Sequence, residues 1–273
     1  MIIQTAPAGE PRLAIMMYEH TALAHQFARA FGNAQFAPAD PNDLMYHVTL
    51  HHDAGWAAFD RDPAADAKTG LPCNLIETPL EYLTVTSRLS PDYNERHHPF
   101  CGLISSMHSW GLYNGRYGLS SMVLIDKIPQ QDRPLAQRML DGELARQTRL
   151  KAEIARDPAA AGWLDEKRIF QSYKQLQFFD TLALYFNRIH PSERAETKFE
   201  HVPMSATADA TVTVRPREAG VYEVTPWPFA APSAEFAFAG RRIEPGQDRK
   251  FGGWGKALAA APTVWERFQL VAA

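Results

Sequence analysis

Hydrophobic positions over the first 190 residues recur at steps of three and four, the repeat of helices with one buried face. The pattern predicts helices over 18–31, 41–52, 79–90, 97–112, 132–156 and 165–188. Gly32-Asn33 stops the first, and Pro41-Asn42 opens the second. The segment 132–156 contains "LARQTRLKAEIARD", which must keep one side in water, whereas 165–188 is the longest strongly apolar helical pattern. Ahead of these, "MIIQT" and "RLAIMM" flank "APAGEP" and predict a small hairpin. Residues 57–78, rich in Asp, Pro and Gly, predict a surface loop.

After His190-Pro191 the pattern changes. "ATVTVRP", "VYEVTPWPF" and "AEFAFAGRRI" place β-formers between Pro and Gly turns and predict three strands. A short helix at 253–261 and a last strand in "WERFQLVAA" follow. The expected fold is a mainly α helical core with a smaller C-terminal antiparallel β portion, α+β overall. The expected division is a helical core over 1–190, including the hairpin, and a β-rich extension over 191–273 packed on it. The N-terminal hairpin is also a candidate to join the C-terminal strands in one sheet.

Composition narrows the function. The chain has 273 residues and is 45% hydrophobic, enough to bury a core without covalent staples. A net charge of -3 gives no basic excess for nucleic acid or an anionic membrane, so the expected partner is a small-molecule substrate, with a homodimer left open. Cys73 and Cys101 are the only cysteines, a usage suited to a reducing compartment. Neither a signal-like leader nor a long apolar stretch is present, so a cytoplasmic location is expected.

Ten histidines are many, and most precede residue 110. Helical spacing sorts them. His20 shares a face with Leu23, Phe27 and Phe31, the buried side of its helix. His25 shares its face with Arg29 and is about 140° from His20, so the two cannot reach one ion. Asp180 follows Tyr173 and Leu176 in a core stripe, where a carboxylate needs a cation, donors or a metal. His108 lies between Ile104 and Leu112 on one face. In "HVTLHHDAGW", His52 and Asp53 diverge by about 100° and can share an ion only at the helix end. Bland readings stand beside these: a hydrogen-bonded core His20, a buried salt bridge at Asp180, and a solvated helix end at His51, His52 and Asp53.

The order His20, His52-Asp53, Asp180 on predicted helices resembles the HD-domain superfamily of metal-dependent hydrolases. More closely, "EHTALAHQFARAFGN", "HHDAGWAAFDRDPAADAKTGLP", "SMHSWGLY", "LQFFDTLALYF" and "PWPF" resemble a bacterial family, domain of unknown function 3891. The resemblance implies an HD-like helical core in which His20, His52, Asp53 and Asp180 ligate a divalent transition metal (Fe, Mn, Zn, Co or Ni, one or two ions), with His108 as an added ligand. The leading expectation is a metal-dependent hydrolase of a phosphate ester or other small molecule. Asp53 orients or deprotonates a water, and His51 or His108 supplies the leaving-group proton. Trp56, Tyr113 and Lys174 are the substrate-side candidates, with Arg116 beside Lys174 as a neutraliser of phosphate. Two alternatives remain. A diiron oxygenase needs further ligands from His108 and His97 or His98, and a non-catalytic protein would carry a structural metal.

Overall fold

The computed structural model describes residues 1–75 and 77–273. Strands β1 (Ile2–Ile3) and β2 (Arg12–Ile15) form the N-terminal hairpin. The helices follow as α1 (Met17–Ala30), α2 (Asn42–His51), α3 (Ala57–Arg61), α4 (Leu80–His97), α5 (Pro99–Tyr113), α6 (Arg133–Ile154) and α7 (Glu166–Arg188). Strands β3 (Thr197–Pro203), β4 (Asp209–Glu218), β5 (Val221–Thr225) and β6 (Ser233–Ile243) come next, then α8 (Trp254–Ala260) and β7 (Thr263–Ala272). The long helices fall on the predicted segments, except that α4 runs on to His97, past its expected end at 90, and α5 begins at Pro99. The expected loop 57–78 opens instead with α3, because Ala57, Phe59 and Arg61 continue the turn begun at Ala54. Residue 76 of that segment lies outside the described residues.

The sheet corrects the expected fold class. About half of the chain is helical, and seven strands form one curled sheet in the order β1-β2-β6-β7-β5-β4-β3. It is neither a small appendage nor wholly antiparallel, since β5 runs parallel to β7. The N-terminal hairpin joins it through β2, where Leu13 pairs with Arg242 of β6. The expectation of a mainly α core fails for a physical reason. Helices α1 and α7 bury their apolar faces against the sheet, so the largest core is a helix–sheet interface. There Leu23, Phe27, Phe179 and Phe186 pack with Val224, Phe236, Phe268 and Leu270. Strand β3 escaped the sequence pattern because an edge strand shows water its polar alternates; in "TKFEHVP" only Phe199, Val202 and Pro203 are buried.

A second core, from Met45, Val48, Phe100, Ile104, Leu150 and Leu176, packs α2, α5, α6 and α7 together. Two glycines set close approaches there. A Cβ on Gly111 of α5 would lie 2.2 Å from the Tyr173 hydroxyl of α7, and one on Gly55 would lie 2.3 Å from the Thr86 carbonyl of α4. Among the described residues, three that are not glycine hold left-handed backbone: Arg116 (φ 52°), Tyr117 (φ 58°) and His201 (φ 57°). Such conformations cost about 1–3 kcal/mol each and persist only where the surroundings impose them. No described helix is long and apolar enough to cross a membrane.

Candidate metal centre

Four helices each bring one polar feature to the place where α1, α2, α5 and α7 converge. The buried stripe of α1 delivers His20, and that of α7 delivers Asp180. His108 comes from α5, where its turn is wholly buried. His52 caps α2 in helical conformation, and Asp53 then leaves the helix with φ -112° and ψ 23°. That departure solves the divergence of adjacent helical residues, because Asp53 swings back toward the His52 ring. Gly55 makes the departure feasible: its amide donates to Ser90 Oγ at 3.0 Å, and the backbone runs against α4 with no room for a side chain.

The polar atoms meet at short range. His20 Nε2 is 3.1 Å from Asp180 Oδ1. His52 Nε2 is 3.5 Å from Asp53 Oδ2 and 3.8 Å from Asp180 Oδ1, close enough for attraction but too far for a good hydrogen bond. The His52 ring stands edge-on to His20 and to His108, with centroids 5.6 and 5.1 Å away. Potential ligand atoms within 4.8 Å of one another form two overlapping trios, His20–His52–Asp53 and His52–His108–Asp180. All but Asp53 are buried.

Each imidazole is held from behind by Nδ1. His20 Nδ1 is 2.9 Å from Asn187 Oδ1, and His52 Nδ1 is 2.8 Å from the Thr49 carbonyl. Both acceptors require Nδ1–H, so Nε2 offers a lone pair to an ion in the neutral ring and an N–H to a carboxylate in the protonated one. His108 Nδ1 lies 2.7 Å from the Gln177 amide, whose other terminal atom is buried without a partner. It is the amide nitrogen of Gln177 that faces Nδ1 and donates to it, so His108 is held through the same ring atom as the other two but in the opposite sense.

Charge follows the geometry. Burial opposes a charged His52, but the carboxylates of Asp53 and Asp180 overcome it and raise the pKa to about 9. Burial pushes His108 down to about 4, so its ring is neutral. Burial alone would raise Asp180, yet the His20 ring at 3.1 Å and the attraction of the nearby His52 hold it well below the usual carboxylate range. Without a metal, one proton on His52 offsets two carboxylates.

A cavity of about 430 Å³ opens onto the centre at Asp53. Its walls are mostly apolar, from Met16, Met17, Leu50 and Leu258, and Arg61 and Arg241 add two cations.

The other sequence candidates fall elsewhere. His51 lines this cavity but packs its ring on His47 and Tyr93, at 4.6 and 5.0 Å, and belongs to neither trio. Trp56 is buried against Phe59, and Tyr113 is buried among Ile128, Met139 and Leu140, so both serve as core. Lys174 pairs with Asp209 at a different cavity. His97 stacks on His47 at 3.6 Å, and His98 caps α5 by accepting from the Phe100 amide. Neither reaches the centre. Cys101 is buried, as a small core residue should be, and burial raises its thiol to about 12. Sequence reasoning passed over Gln177 and Asn187, although a signal existed. Both lie on α7 at helical offsets of three and seven from Asp180, as polar residues on a buried face.

A family model described as "Protein of unknown function (DUF3891)" matches residues 1–245, and the chain belongs to that family. No curated protein and no solved structure matches the chain.

Proposed function

We propose that this member of the DUF3891 family holds a divalent transition metal through His20, His52, Asp53 and Asp180, with His108 at its flank, and acts as an HD-type metal-dependent hydrolase of a small substrate such as a phosphate ester. One observation carries the reading. Five ligand-type side chains converge from helices far apart in sequence, and His20 and His52 are fixed through Nδ1 so that Nε2 points at the carboxylates. A second polar shell of this kind is what orients metal-binding histidines. The donor set fits a metal by a further test: His52 Nε2 is buried without a hydrogen-bond partner, between two carboxylates. A dry pocket would not keep such an atom unless something else satisfies it.

A bound divalent ion would supply Lewis acidity and a more acidic water. The chain's own residues do the rest. Asp53 is a ligand that lines the cavity, so its carboxylate can orient an incoming water and take its proton. His51 faces the same cavity and is placed to return a proton to the leaving group, whereas His108 is buried behind the centre. The apolar walls exclude bulk water, and Arg61 and Arg241 supply positive charge for an anionic substrate.

The hydrolase is favoured over a diiron oxygenase because His97 and His98, needed as extra ligands, lie away from the centre. The cavity at Asp53 favours catalysis over a closed structural metal. The test is a panel of phosphomonoesters and phosphodiesters assayed with Mn, Co, Ni, Zn or Fe(II). Turnover that needs the metal and disappears in Asp53→Asn supports the reading. Oxygen consumption with two irons per chain, or no metal-dependent turnover of any ester, would replace it.

A further inference from the structure

We propose that the chain has a second small-molecule site, for a phosphate-bearing ligand, between α7, β3 and the turn that follows α5. A cavity of about 360 Å³ lies there, lined by Arg116, Lys174, Gln177, Thr181, Lys198 and His201. The one carboxylate on its wall is that of Glu200. Lys174 is neutralised by Asp209, but Arg116 and Lys198 have no ion-pair partner among the described residues. Two uncompensated cations around a concave space suit a dianion, and a guanidinium fork with an ammonium matches the oxygens of a phosphoryl group.

The backbone gives an independent reason. Arg116, Tyr117 and His201 are the non-glycine residues with positive φ among the described residues. Two of them line this cavity, and the third adjoins Arg116. They come from separate parts of the chain, a turn after α5 and a register shift in β3 between Phe199 and Val202. Glycine would adopt either conformation without strain. The chain instead keeps a guanidinium and an imidazole at strained positions that face the same space. Strained residues of this kind gather at ligand sites. Gln177 lines the cavity and also touches His108, so an occupant would sit beside the metal centre. The inference does not depend on a metal being bound.

The strain supplies the test. Inorganic phosphate is titrated by calorimetry into full-length, metal-free protein, freed of chelator by dialysis, at constant ionic strength. Acetate serves as a parallel titrant. Arg116→Gly, Lys198→Gln and the loop control Lys68→Gln are compared with wild type. The expected result is saturable one-to-one phosphate binding, weakened at least tenfold in Arg116→Gly and Lys198→Gln and unchanged in Lys68→Gln, with acetate much weaker. Arg116→Gly should keep or raise the melting temperature while it loses the ligand. If it fails to fold, Lys198→Gln, an exposed strand position, gives the same reading. No saturable binding to wild type, equal binding in all variants, or acetate binding as tight as phosphate would overturn the proposal.

Discussion

Around Phe27 and Phe186, helices α1 and α7 meet the sheet in a dry aromatic core: Phe186 stacks on Phe268 at 3.8 Å, and Phe27 meets Phe236 edge-on at 4.6 Å. About two turns from those rings the same helices bury His20 and Asp180, and Asn187, beside Phe186 in sequence, is buried with them. The first region gains free energy from every area it removes from water. The second gains little, because hydrogen bonds and ion pairs there mainly offset desolvation. A chain that can build the first could fill the second with leucine and be as stable or more so. That it builds a polar nest with oriented imidazoles instead is the contrast on which the proposed metal site rests.

The sharpest way to break this contrast is Asp180→Asn. It preserves shape and hydrogen-bonding reach but removes the charge shared by His20 and His52. Metal added to wild type should raise the melting temperature, since a ligand that binds only the native state stabilises it. In Asp180→Asn that rise should vanish. A rise of the same size in the variant would show that Asp180 is a structural residue.

The mirror experiment is Phe27→Ala. Loss of a buried aromatic should cost about 3–5 kcal/mol in denaturant unfolding. The metal stoichiometry of the folded fraction should stay that of wild type. If metal is lost with Phe27, the two regions are one cooperative unit and the contrast fails.

Smaller effects test the supports of the centre. Gln177→Leu and Asn187→Leu remove the groups behind His108 and His20, and each should weaken metal about 10–100-fold by competition titration. Gly55→Ala forces a Cβ against the Thr86 carbonyl and should cost about 1–3 kcal/mol, with weaker metal binding as Asp53 shifts.

Much of this was legible in the chain. His20 and Asp180 betray themselves as polar residues in apolar stripes, and His52 and Asp53 as a pair that makes sense only at a helix end. The sheet was legible only in part. The N-terminal hairpin was a candidate to join the C-terminal strands, as it does through β2, but β3 carries an edge strand's polar face and the parallel pairing of β5 with β7 has no local signal. Helices that cover a sheet show the same apolar period as helices that cover each other, so the pattern alone suggested a helical core. Trp56 and Tyr113 misled because an aromatic beside a ligand can as well anchor the helix that carries it. The strain at Arg116 and His201 is a backbone property with no sequence period.

The smallest expected effect concerns His47, which lies outside both regions. Partial burial, then the nearby His97 and His51, lower its pKa to about 4. In the unfolded chain a histidine titrates near 6.5. The unfolded state therefore binds more protons between these values, and stability should fall as pH drops from about 6.5 toward 4. His47→Gln should flatten part of that slope in melting temperature. An unchanged slope would place the acid sensitivity at another group.

The central claim is that the nest at His20, His52, Asp53 and Asp180 exists to hold a metal. Elemental analysis of protein purified without chelator and without a nickel column, with His52→Ala alongside, tests it most directly. The account predicts at least one divalent transition-metal ion per wild-type chain and its loss in His52→Ala, with the variant still folded. Metal absent from both proteins, or present equally in both, would contradict it.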